Sequence, residues 1–411
     1  MIEQYQKTVQ ETVIEIKNSE IYSIKKNEIV RRAVRLFHKD KIAIVASKGN
    51  VGFSSLIKEV DNNIRYGQNY DYPLPTNAIK HDSFIRQKQI FTEKEFIRFG
   101  EKLMECLRKK FPDFIFMNKI RFALVEKKIA FVNMTDLSVN YPLVDITLLF
   151  KRKNSKNIFD GVFPYLSSNM FSPEEYIEEM EKIVRAVDNP IKLRNYNIPV
   201  AFPSFDQTII AGKIKESIIG DNYQKGTSLF NNLLGKKVFN AKLTIHDISY
   251  LPEKNLFYAF DDESFIRKEP ALEIVGNGIL NNLIYDRRTA AMYEKTPTGN
   301  GLKPDYNKFP QTMANSFIFS DDEKIETPGK AIIPVIMGGG SVDDGGNFAI
   351  PVQFSLLMEN GEIKAMLPQL LLSGNIFKML GENYMGTDNK YFSKMSLNPY
   401  LYTRVNVKRI Y

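Results

Sequence analysis

The sequence predicts an α+β protein: an N-terminal α/β-type domain of antiparallel strands with helices, then a β-rich, barrel- or sandwich-like C-terminal domain. Three observations carry this expectation. Short β-branched runs of alternating polarity dominate residues 11–48 and 113–153. Helical periodicity appears three times before residue 190, twice with its start signals. Beyond residue 192 glycine and short strand-like runs take over. A chain of 411 residues suits two or three domains. The turn Asp188-Asn189-Pro190 sets the boundary, giving 1–190 (divisible into 1–90 and 91–190) and 191–411.

The elements follow in order. From residue 11 the runs TVIEIKN, IYSI, EIVRRAVRLF and KIAIVAS read as strands broken by polar turns. Arg31 and Arg35 alternate with Val30, Val34 and Leu36, the pattern of a half-buried strand with a wet face. A helix over Gly52–Ile64 places Phe53, Leu56, Ile57 and Val60 on one side. A second opens with the capping box Thr92/Glu95 and carries Phe96, Phe99, Leu103 and Leu107 as its apolar face. Residues 113–153 give FIFMNKIRFALVE, KKIAFVNMT and LVDITLLFKRK as strands. Ser172, Pro173 and Glu175 announce a third helix, with the stripe Tyr176, Ile177, Met180, Ile183, Val184 and Val187. In the C-terminal half Asn360-Gly361 supplies the positive φ angles of a tight hairpin turn.

Composition excludes several function classes. Lysine and arginine total 56 against 48 acidic residues, a formal charge of +8. Eight basic residues lie between Lys25 and Lys48 against Glu28 and Asp40, yet no aromatic rhythm or helix-turn-helix signature accompanies them. Charge alone speaks to solubility and nonspecific contacts, so nucleic acid is not the expected partner. No apolar run approaches the ~18 residues of a membrane span, and no signal peptide is read at the start. Cys106 is the single cysteine, which points to a reducing cytoplasm; it lies beside an apolar stripe with no histidine near to activate it.

Motifs for chemistry are sparse. His38, His81 and His246 are isolated, and neither H-E-x-x-H nor C-x-x-C spacing occurs. His246-Asp247 reads as a strand-end turn pair rather than half of a triad. Asp261, Asp262 and Glu263, and separately Asp343 and Asp344, lack calcium-loop spacing and read first as solvated turns. Gly338-Gly339-Gly340 has no P-loop context and fits a tight β corner.

Several phrases occur in one order: GDNYQKGTSLFNNLLGKKVF, AKLTIHDISYLPEKN, FDDESFIRKEPALEIVGNGILNNLIYDRRTA, TPTGNG and NFAIPVQFSLLMENGEIKAMLPQLLLSGNIFKML. GFSSLIKEVDNNIRYG and YPLP extend the set into the N-terminal half. Together they resemble the TldD/PmbA family, the group long labelled modulators of DNA gyrase. The resemblance implies paired subunits forming a peptidase, in which the TldD-type subunit holds zinc through an HE-x-x-x-H helix and a later cysteine. Counting back from Gly220-Asp221, the helix TIIAGKIKESII puts Ala211 at the first histidine position, Gly212 at the glutamate and Glu216 at the second histidine. The tail NKYFSKMSLNPYLYTRVNVKRI has no cysteine. The resemblance therefore implies the PmbA (TldE-like) branch: no cofactor in this chain, zinc in a TldD-like partner, and a dimer with that partner or with itself. Unfolded or leader-type peptides are the implied substrate. Thr296, Thr298, Gly299 and Asn300 are then the loop expected near the inter-subunit cleft. A second expectation is an autonomous hydrolase with a relocated carboxylate or metal site at Asp261, Asp262 and Glu263. A third, a gyrase- or DNA-associated modulator, rests on basic charge alone.

Overall fold

The computed structural model describes residues 1–70, 72, 82–86, 91–131, 135–167, 173–203, 205–251, 256–321, 327–388 and 399–410. Strand outweighs helix, 46% to 21%, so the chain is the α+β protein that the alternating runs implied. The N-terminal sheet uses β1 (Ile2–Lys17), β2 (Glu20–His38), β3 (Lys41–Lys48), β4 (Gln68–Asn69), β5 (Asp82–Arg86), β6 (Phe114–Phe131), β7 (Thr135–Arg152) and β8 (Gly161–Ser167). Their order is β4-β3-β2-β1-β6-β7-β5, with β8 also on β7. Pairing is antiparallel except between β5 and β7.

The strands are longer than their sequence segments. β1 starts at Ile2, nine residues before the alternating pattern becomes clear, because Gln4, Gln6 and Thr8 blur the contrast between faces. IYSI and EIVRRAVRLF form one strand, β2; its polar middle, Lys25–Glu28, is exposed. Likewise Lys127-Lys128 interrupts nothing, and FIFMNKIRFALVE runs on to Phe131 as β6. The expected wet face of β2 is covered at Arg35, which is only 3% exposed.

Helices cover the opposite face of this sheet. α1 (Phe53–Asn63) lays Leu56 and Val60 on Val34, Leu36 and Ala43. α2 (Glu93–Lys110) begins at the Thr92/Glu95 capping box, and α3 (Pro173–Asp188) buries Tyr176, Met180, Ile183, Val184 and Val187. The α3 start signals Ser172, Pro173 and Glu175 have side chains outside the described residues. The layer under α2 and α3 also takes in Ala331, Ile333, Phe354 and Tyr402, so one apolar cluster crosses position 190.

Downstream, a mixed sheet contains strands Lys330–Met337, Asn347–Glu359 and Leu370–Asn375. It shares a second core with the smaller sheet of Leu243–Ile248, Ala271–Gly276 and Ser316–Asp321. Strand alternation puts Ile332 in this second core while its neighbours Ala331 and Ile333 face the first. The Asn360-Gly361 turn forms as expected, with φ of 50° and 80°. The glycine run is a tight corner: a Cβ on Gly340 would lie 2.5 Å from the Ala349 carbonyl oxygen.

Candidate functional site

α4 (Ile209–Ser217) is set by its cap, Thr208 Oγ1 accepting the Ala211 N–H at 3.1 Å. Ile210, Ala211 and Ile214 face the second core and are fully buried. Gly212 points at open space. Glu216 is exposed and lies 3.4 Å from Lys213, which also reaches Asp344 at 3.3 Å. The start of α4 and residues Met337, Gly339 and Ile350 line a small cleft of about 160 Å³. Zinc requires nitrogen, sulfur or carboxylate donors in a tetrahedral set. Of Ala211, Gly212 and Glu216 only the last has a donor. Among the described residues, no three His, Cys, Asp or Glu side chains gather closely enough to share an ion. These residues do not fit the group.

α5 (Gly220–Gln224) follows α4 and ties it to the loop at 296–300. Gly220 donates its N–H to Ile284 O at 2.9 Å. The next residue, Tyr285, donates its N–H to Thr298 Oγ1 at 2.8 Å, and Thr298 Oγ1 donates to Asn300 Oδ1 at 2.7 Å. Asn300 is fully buried and gives its amide to Asp247 Oδ2 at 2.9 Å and Met313 O at 2.9 Å. Arg267 closes the circuit, pairing with Asp247 and donating to Thr298 O at 2.6 Å and Asn300 Oδ1 at 2.7 Å. Gly299 has φ of +72°, and a Cβ there would meet Arg267 Cγ at 2.8 Å. Thr298, Gly299 and Asn300 thus form a hydrogen-bonded frame, while Thr296 lies outside it and is exposed.

Asp261, Asp262 and Glu263 correct the expectation of a solvated turn. They are 3%, 7% and 7% exposed, because the N-terminal sheet closes over them. Asp261 Oδ1 accepts the Glu263 and Phe265 N–H groups at 2.9 and 2.8 Å, and its Oδ2 accepts that of Gly301 at 3.0 Å. Asp262 Oδ2 accepts the Lys303 N–H at 2.7 Å, and Lys127 Nζ lies 2.8 Å from its Oδ1. Glu263 Oε2 accepts the Arg287 N–H at 2.8 Å, at the start of α6 (Arg287–Met292). From the sheet, Arg35 grips Glu3 with two nitrogens and donates to Asp262 O at 2.8 Å. Lys303 Nζ is buried 3.6 Å from Glu3 and 4.1 Å over the Tyr5 ring, without a hydrogen-bond partner.

Burial sets the electrostatics here. It raises Asp261, and it raises Glu263 further with the help of Asp261 and Asp286. Burial also opposes ionisation of Asp262, but Lys127 and Lys303 overcome it and hold that carboxyl below its ordinary value. Lys303 itself is pushed down to about 8 by burial.

The structure therefore brings 261–263 and 298–300 together across Gly301. His246 and Asp247 sit inside strand Leu243–Ile248 rather than at a strand-end turn, and alternation sends their side chains to opposite faces. His38 is exposed at the end of β2, and His81 lies outside the described residues. Cys106 is half-buried on α2. Asp343 and Asp344 form an exposed turn, Asp343 Oδ1 accepting the Gly345 and Asn347 N–H groups. Sequence reading missed Glu3, Arg35, Lys127, Arg267 and Lys303, whose partners are mostly remote in the chain.

Residues 198–408 match the model of the PmbA/TldA metallopeptidase C-terminal domain. The chain belongs to this family. Among curated PmbA/TldA relatives, a TldD homologue from Buchnera aphidicola, a metalloprotease, is 29% identical over 43% of this chain and 37% of its own length. A metalloprotease of Methanocaldococcus jannaschii is 33% identical over 37% of this chain and 35% of its own. The chain thus spans just over a third of the length of these two relatives. The crystal structure of TldE from Thermococcus kodakarensis superposes with a TM-score of 0.79 over 98% of this chain and 95% of that one. At 16% identity, that likeness concerns the fold.

Proposed function

We propose that this chain is a TldE-like, zinc-free subunit of a TldD/PmbA-type metallopeptidase that acts on unfolded or leader-type peptides in the cytoplasm. The observation that carries the reading is α4. Where the zinc-bearing branch is expected to place two histidines and a general base, this helix has a buried methyl group, a bare backbone and a surface glutamate beside Lys213. Hydrolysis then belongs to a TldD-like partner, and this chain supplies scaffold and contact surface. The likeness to TldE over nearly the whole chain supports the same reading. A relocated carboxylate centre is less well supported, since both Asp261 oxygens, one Asp262 oxygen and Glu263 Oε2 already accept backbone N–H groups. A DNA-bound role has only the basic balance of the composition behind it.

The test compares cleavage of an unfolded peptide by this chain, by a zinc-bearing relative and by their mixture. Activity should appear in the mixture and vanish with a chelator, while elemental analysis of this chain finds no stoichiometric zinc. Chelator-insensitive cleavage by this chain alone overturns the proposal.

A further inference from the structure

Two buried carboxylates converge on one glycine. Asp261 Oδ2 accepts the Gly301 N–H at 3.0 Å, and Glu263 Oε2 lies 2.4 Å from where a Gly301 Cβ would stand. Asp286 faces Glu263 from the cap of α6. The seam's cations are mostly committed elsewhere. Arg35 is held by Glu3 and Asp262 O, and Lys127 by Asp262 Oδ1. Lys303 Nζ stands nearest Glu3 and the Tyr5 ring. Arg287 offers its backbone N–H, and its Nε reaches only the Glu263 carbonyl, at 3.4 Å. Among the described residues, Lys7, Arg31, Tyr70, Arg121, Tyr141 and Asp305 also stand around the seam. Neighbouring carboxyls in a dry site resist ionising together, so the closed pair keeps one proton. Asp262, between them in sequence, keeps its charge on Lys127 and Lys303.

We propose that the Asp261–Glu263 pair is a proton-dependent latch between the N-terminal sheet and the C-terminal half. With its shared proton the pair lets segment 260–265 close against β1, β2 and β6. Loss of that proton to solvent sets Glu263 against Asp261 and Asp286. The segment then leaves the sheet, taking with it the Arg35–Asp262 and Lys127–Asp262 contacts. The direction follows from like-charge repulsion among Glu263, Asp261 and Asp286, which the Arg35 and Arg287 charges offset only in part: the latch opens as pH rises. This inference does not depend on the peptidase-subunit reading.

Hydrogen exchange of the full chain, corrected for the intrinsic pH dependence of exchange, tests it between about pH 5 and pH 9. Protection of 260–265 and of the first residues of β1 should fall by up to about tenfold per pH unit between the ordinary carboxyl value of 4.5 and the closed-state value of about 8, then level off, while α4 stays protected. Glu263→Gln, which keeps the shape of the protonated acid, should flatten that profile. A constant wild-type profile, or a Glu263→Gln profile falling in parallel with it, overturns the latch. Should that variant not fold, infrared titration of the wild type decides. The band of a protonated buried carboxyl must be present in mild acid and vanish only near the top of that interval, and its absence in mild acid is fatal to the idea.

Discussion

Gly220 and Tyr285 approach so closely that a methyl group on Gly220 would lie 1.9 Å from the tyrosine ring. The contact joins α5 to the strand-like segment at Ile284, where Gly220 N–H and Ile284 N–H each donate to a carbonyl across the gap. Through Tyr285 and Thr298 it fastens the α4–α5 corner to the loop frame around Asn300.

Gly220→Ala should therefore destabilise the protein by about 1–3 kcal/mol, the usual cost of overpacking a rigid contact. Urea unfolding measures it. Adding Tyr285→Leu should recover part of the loss, and a wild-type midpoint for Gly220→Ala alone would contradict the packing.

Arg267 and Asp247 are 6% and 0% exposed at their side chains, and the aspartate also takes hydrogen bonds from Asn300 and Asn315. Removing one partner leaves a buried, uncompensated charge. Arg267→Ala is expected to cost about 3–5 kcal/mol, and Arg267→Lys a large share of that because lysine cannot reproduce the fork to Asp247, Thr298 and Asn300. Thermal unfolding of the soluble fraction reads both, and a loss under 1 kcal/mol for alanine speaks against the frame.

Burial lowers Lys303 to about 8 from its ordinary 10.5, with Glu3 and Asp262 partly opposing and Arg35 and Lys127 reinforcing the effect. Between those two values the unfolded chain binds more protons than the folded one, so this group makes stability rise with pH there. Below about pH 8 both states hold the proton and the full cost of the buried ammonium is present. Lys303→Met removes the group. The wild type should gain stability relative to the variant as pH climbs from about 8 to about 10.5, and parallel urea-midpoint curves would falsify this.

On α4 two neighbouring substitutions should act with opposite sign. Gly212→Ala meets only open space and removes a helix-interior glycine, so it should stabilise by about 0.5–1 kcal/mol. Ala211→His drives a ring into a fully buried position and should cost about 1–3 kcal/mol. The same melting series reports both, and equal signs refute the assigned helix faces.

Local signals were readable where their physics is local. The Thr92/Glu95 box, the Asn360-Gly361 turn and the stripe on α3 each involve residues a few positions apart. The polar stretches of β2 and β6 hid one strand as two because Lys25, Lys26 and Lys127 interrupt the apolar pattern without interrupting the ladder. Arg35 gave the appearance of a wet face because its cover, Asp262, lies far along the chain. Asp261 and Glu263 looked like a surface turn for the same reason. No spacing rule announces that a sheet will close over them.

The hydrogen bond from Arg35 to the Asp262 carbonyl spans 227 positions. A ribosome adding about 5–20 residues per second needs on the order of tens of seconds to pass from one to the other. For that time the Glu3–Arg35 pair lacks its Asp262 cover and the cluster of Tyr5, Ala33 and Phe37 lacks Phe260. The nascent N-terminal sheet thus waits with a half-finished, partly apolar face on a growing chain, which makes this interval its period of greatest exposure to chaperones and to aggregation.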